Sequence, residues 1–137
     1  MKKNKCIQTG FTLIELLVVA AIVIVLTSII AVNFRPTSQK ARNSKREADI
    51  SQIRSALELY RSTNSTYPVY TTSNHVTNFT NLIANAGFRT FLSTPSIVDP
   101  VNTTPYQYTY VSAANGFTYS VCYYVEPAGT QTCLTNP

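Results

Sequence analysis

MKKNKCIQTG FTLIELLVVA AIVIVLTSII AVNF, residues 1–34, decides how the rest of the chain is read. Lys2, Lys3 and Lys5 give way at Phe11 to an apolar run that ends at Val32 and carries one charge, Glu15. Such a run suits a membrane-spanning helix, which needs about 20 residues at 1.5 Å each. It is long for the apolar part of a cleaved secretory signal, and no Ala-x-Ala site follows it. Cys6 precedes the run, which argues against a lipoprotein. Charge alone does not orient the segment: the lysines lie on one side, and Arg35, Lys40, Arg42, Lys45 and Arg46 on the other.

Glu15 is the most informative residue. A carboxylate inside a spanning helix is expensive, and such groups usually have a partner and a function. No Lys, Arg or His lies between Glu15 and Arg35. A cut between Gly10 and Phe11 would create an amine on Phe11, four residues before Glu15. That amine could neutralise Glu15 on the same helix or on a neighbour. Gly10 suits the cleavage position because it leaves the scissile bond open.

Gly10-Phe11-Thr12-Leu13-Ile14-Glu15-Leu16, after a short Lys-rich leader, resembles the processing site of type IV prepilins and type II secretion pseudopilins. The resemblance implies cleavage between Gly10 and Phe11, N-methylation of Phe11, and pairing of Glu15 with the amine of an adjacent subunit during filament assembly. It also implies a leader in the cytoplasm and a head outside. The partners it implies are a prepilin peptidase, an assembly ATPase and a platform protein.

Beyond the apolar run, Arg35 to Arg61 holds seven basic and three acidic residues. Ile50, Ile53, Leu57 and Tyr60 recur there at spacings of three, four and three. That is one apolar stripe on an amphipathic helix, with Glu58 and Arg61 placed as a weak helical ion pair. Pro36 is expected to kink the helix rather than end it. Asn64-Ser65-Thr66 and Tyr67-Pro68 stop it.

From Ser62 onward the only charges are Arg89, Asp99 and Glu126. A short helix is expected near Phe79–Phe91, and Asp99-Pro100 and Thr104-Pro105 mark turns. Tyr106, Tyr108 and Tyr110 alternate before Asn115-Gly116, and Phe117, Tyr119 and Val121 alternate after it. This predicts a β-hairpin whose aromatic face covers the helix stripe. Cys122 and Cys133 enclose ten residues that include Pro127 and Gly129. Two cysteines and a lone His75 fall short of a zinc site, so a disulfide is the reading, and many pilins close a C-terminal loop in this way. Major pseudopilins often hold calcium in a late acidic loop. This C-terminus offers only Glu126, and no metal or cofactor is expected.

The expected architecture is α+β: a long N-terminal helix packed on a small antiparallel sheet, the pilin fold. Its parts are a leader at 1–10, a transmembrane and assembly helix at 11–34, an amphipathic helix at 35–62 and a head at 63–137. The chain has 137 residues, 45% hydrophobic and 12% charged, and one His. With no phosphate-binding glycine loop, nucleophile elbow or paired acids, it does not read as an enzyme. The reading is a self-associating filament subunit, held in the inner membrane by a single pass and then moved to a surface or periplasmic filament. The alternative is a minor or competence-type pseudopilin that binds DNA for uptake, with Arg35 to Arg61 supplying positive charge. The basic stripe with interleaved aromatics that marks a nucleic-acid surface is absent, so that partner is disfavoured.

Overall fold

A computed structural model describes residues 10–136. Helix α1 runs Leu13–Asn64 and continues through Pro36. The chain divides into two compact units between Thr37 and Ser38.

In the first unit the described side chains from Leu13 to Leu26 are apolar almost throughout and exposed on every side of the helix. Thr27 and Ser28 return their hydroxyls to the backbone carbonyls of Val23, Ile24 and Val25 at 2.7–3.0 Å. Their polar groups are thereby satisfied within the helix itself. Among the described residues no helix is long and apolar enough to cross a membrane. An all-round apolar helix face nevertheless has to be covered by something other than water. The leader through Thr9, with Cys6, lies outside the described residues.

In the second unit the predicted stripe is the centre of the core. Ile50, Ile53, Ala56 and Leu57 are all buried, and Tyr60 packs partly buried beside them. Helices α2 (His75–Ala84) and α3 (Ala86–Arg89) add Phe79, Leu82 and Phe88. The single helix expected near Phe79–Phe91 is two. Asn85 takes an extended ψ of 117° and ends α2, and its side chain accepts the Phe88 N–H to cap α3.

Strands β1 (Thr109–Ser112), β2 (Tyr119–Val125) and β3 (Thr130–Thr135) form an antiparallel sheet in the order β1-β2-β3. The expected hairpin is β1–β2, with Tyr110 opposite Val121. Tyr108, Tyr110, Tyr119 and Val121 enter the core as the alternation requires, but Phe117 stays 53% exposed. It sits in the turn, where no strand aims its ring inward. The turn needs Gly116: its φ is +70°, and a Cβ there would meet the Tyr67 carbonyl at 3.2 Å and Thr66 Cβ at 3.0 Å. Its carbonyl accepts the Tyr67 N–H at 2.8 Å, which fastens the chain after α1 to the hairpin.

Strand β3 was not legible beforehand. Five of its six residues are exposed, so Thr130-Gln131-Thr132-Cys133-Leu134-Thr135 carries almost no hydrophobic alternation. Cys122 and Cys133 are direct partners in the β2–β3 register and are bonded to each other.

Candidate functional site

Gly10, Phe11 and Thr12 precede the helix, and all three are exposed; a Cβ on Gly10 would meet nothing within 4 Å. The Gly10–Phe11 peptide bond therefore lies outside any helix or strand among the described residues. Phe11 itself is 83% exposed.

Helix α1 opens with a reciprocal cap. The Glu15 N–H donates to Thr12 Oγ1 at 3.3 Å, and Glu15 Oε2 accepts the Thr12 N–H and hydroxyl, both at 2.9 Å. This is the capping box of a Thr-x-x-Glu start, in which two orphan helix donors are satisfied at once. It also fixes the Glu15 carboxylate over the first turn, where the helix dipole favours negative charge. No Lys, Arg or His stands between Glu15 and Arg35 to pair with it. The structure supplies a neutral partner instead, and the Thr12-Leu13-Ile14-Glu15 spacing was the signal that could have found it.

The second constellation joins α1 to two turns of the head. Arg46 is fully buried and donates from Nε to Asp99 Oδ2 at 2.6 Å and from Nη2 to Asp99 Oδ1 at 3.0 Å. The same Nη2 lies 2.7 Å from Glu126 Oε1. Arg42 grips both Glu126 oxygens, with Nε 2.9 Å from Oε1. Asn43 pairs with the Glu126 backbone in both directions at 2.8 and 3.0 Å. Asp99 also accepts the amides of Val101 and Asn102 at 2.8 and 3.2 Å.

The carboxyl of Glu126 is held down at about 2 by hydrogen bonds from Arg42, which with Arg46 outweigh its burial. Burial pushes Asp99 upward, but Arg46 and the two amides leave it below the usual range. Arg46 and Arg42 stand in the sequence only as part of the basic stretch from Arg35 to Arg61. They are neutralised by the head, because a guanidinium can satisfy two turn carboxylates with planar, charge-assisted bonds.

Glu58 and Arg61, expected as a direct helical pair, meet at the Tyr67 hydroxyl. That group donates to the Glu58 carboxylate at 2.9–3.0 Å and accepts from Arg61 Nη1 at 3.1 Å. Tyr119 also donates to Glu58, at 3.1 Å. Among the described residues no group of three or more His, Cys, Asp or Glu side chains could hold a metal ion.

A glycine-phenylalanine junction, a glutamate in the first turn of an apolar helix, and a head of helix packed on antiparallel sheet define a pilin-like subunit. The prokaryotic N-terminal methylation motif matches residues 6–31, and type II secretion system protein G matches residues 33–129. The chain belongs to the type II secretion system protein G family. It is 41% identical over 68 residues to the type II secretion system core protein G of Vibrio cholerae, covering 50% of this chain and 46% of that one. The protein of the same name from Pectobacterium carotovorum is 41% identical over 61 residues, covering 44% and 39%. That from Escherichia coli is 39% identical over 61 residues, covering 44% and 42%. The chain thus spans less than half the length of each of these relatives. No solved structure matches it.

Proposed function

We propose that the chain is a structural subunit of a type II secretion pseudopilus. It is made with a leader, inserted once through the inner membrane by residues 11–34 with its head outside, and cut between Gly10 and Phe11. Phe11 is then N-methylated, and the subunit joins a periplasmic filament through its apolar helix. The proposal carries over the name of the relatives and rests chiefly on one observation. The open Gly10–Phe11 bond stands immediately before a capped helix start that holds a carboxylate on an otherwise apolar face.

Each residue then has a task. Gly10 gives a peptidase access, and cutting there removes the polar leader and leaves an amine on Phe11. Glu15 receives the amine of a neighbouring subunit, and this sets the axial register when helix replaces lipid around α1. Before that exchange Thr12 keeps the carboxylate hydrogen-bonded, which lowers the cost of holding it among apolar side chains. A prepilin peptidase, an assembly ATPase and a platform protein are the partners this route requires. DNA is not among them: Arg42 and Arg46, which would anchor a basic stripe, are engaged by the head's own carboxylates.

The N-terminal peptide of the protein isolated from its own cells tests the route. A peptide that begins at Phe11 with one added methyl is the expected result. An intact Met1 or Lys2 terminus would leave Glu15 without its amine and overturn the mechanism.

A further inference from the structure

Of the three charges beyond residue 62, Asp99 and Glu126 are taken by α1. Arg89 is different: it is exposed and has no ion-pair or side-chain hydrogen-bond partner among the described residues. It lines a groove of about 520 Å³ between α2 and the segment 95–99. Val76, Phe79 and Ile83, on one face of α2, make the groove apolar, and the buried Tyr108 backs it with Phe79.

The segment across from α2 is itself unusual. Ser96, Ile97, Val98 and Asp99 alternate exposed, buried, exposed and buried, as a strand does, yet they belong to no sheet. The peptide groups of Ser96, Ile97 and Val98 have no hydrogen-bond partner among the described residues. Val98 is 46% exposed beside them. Unpaired peptide groups at the exposed Ser96 and Val98, an apolar trough and a free guanidinium together meet the three requirements of strand addition. These are main-chain bonds for affinity, a pocket for a side chain, and a charge for direction.

We propose that this groove takes an extended peptide of another protein, added as a strand along Ser96–Val98. One apolar side chain of the peptide sits against Phe79 and Ile83, and a nearby carboxylate sits on Arg89. Arg89 sets specificity for an acidic over a neutral peptide, because the groove holds no other uncommitted charge among the described residues.

The test uses the full chain in lipid nanodiscs. The probe is a fluorescent, end-capped hexapeptide of alternating valine and threonine that carries one glutamate, followed by anisotropy. Two twins serve as comparisons, one with glutamine for the glutamate and one with alternate N-methylated amides. Saturable binding of the glutamate peptide is expected, about tenfold weaker for the glutamine twin and lost for the N-methylated one. Arg89→Gln should weaken the glutamate peptide to the level of its twin and leave the twin unchanged. Neither peptide comparison depends on the protein's stability, since both vary only the peptide. No saturable binding, equal binding of all three peptides, or an effect of Arg89→Gln on the glutamine twin equal to that on the glutamate peptide overturns the proposal. So does concentration-dependent self-association that blocks the peptide and vanishes in Arg89→Gln, which would assign the groove to a second copy.

Discussion

The Arg46 guanidinium and the Asp99 carboxylate, 53 residues apart, meet with both side chains fully shielded from solvent. Glu126 reaches the same guanidinium from the β2–β3 turn. One helix residue therefore holds the turn before the sheet and the turn within it. Removing a single partner from a buried pair leaves an uncompensated charge, which costs about 3–5 kcal/mol. Arg46→Met should lower stability by that amount in thermal or urea unfolding of the full chain in micelles. Adding Asp99→Asn and Glu126→Gln to it should recover part of the loss. A variant within about 1 kcal/mol of the parent would mean that the clamp adds nothing.

Stability should fall in acid over a defined window. The carboxyl of Glu126 drops from 4.5 to about 2 on folding. A group with a depressed folded value contributes fully above its unfolded value, and the contribution disappears as pH falls towards the folded one. The melting temperature should therefore stay level above about pH 5 and decline between 4.5 and 2. Asp99, also depressed, adds to the decline. Glu126→Gln should flatten the slope, and an unchanged slope would remove Glu126 from the account.

At the alkaline end the tyrosines report the core. Burial pushes Tyr67, Tyr108, Tyr110, Tyr119 and Tyr123 upward, and the carboxylates of Glu58 and Asp49 add to this at Tyr119 and Tyr108. Their raised values stabilise the fold below pH 10, and that stability is lost as pH climbs past it. Absorbance near 295 nm should show these five resisting ionisation until the head unfolds. Smooth titration of all nine tyrosines near their ordinary value would contradict the packing described.

Breaking the Cys122–Cys133 bond should loosen the sheet at its far edge. Closing a loop of this size contributes about 3 kcal/mol. The double Cys→Ser variant is expected to lose that much and to exchange the amides of Thr130–Thr135 fastest. Hydrogen exchange that remains equally slow there would show that the backbone ladder suffices.

Glu15 offers a way to separate its two tasks. Glu15→Gln keeps an oxygen that can accept from Thr12, so the helix start survives, but it cannot neutralise an amine. Glu15→Ala loses both. Both variants should insert and be cleaved, and neither should assemble into filaments in a reconstituted assembly assay. Normal filaments from Glu15→Gln would mean that charge does not set the register.

The helix stripe at Ile50, Ile53 and Leu57 and the alternating Tyr108, Tyr110 and Tyr119 were legible because their periods, 3.6 and 2, state directly which face is buried. The Gly10-Phe11 junction and Glu15 stood out for the opposite reason, a polar residue where the pattern forbids one. Strand β3 was hidden because an edge strand buries little and so needs no apolar alternation. The partners of Arg42 and Arg46 were hidden because nothing local distinguishes a solvated arginine from one that a turn about 50 or 80 residues away will cover.

Strand β3 stands on a ladder, one half-covered leucine, one sulphur bridge and a hydrogen bond between the side chains of Thr132 and Tyr123, while Thr130, Gln131 and Thr135 are exposed. Those positions are free to change with almost no effect on folding. A lineage can rewrite the outward chemistry of this margin, charge included, while the interior stays fixed.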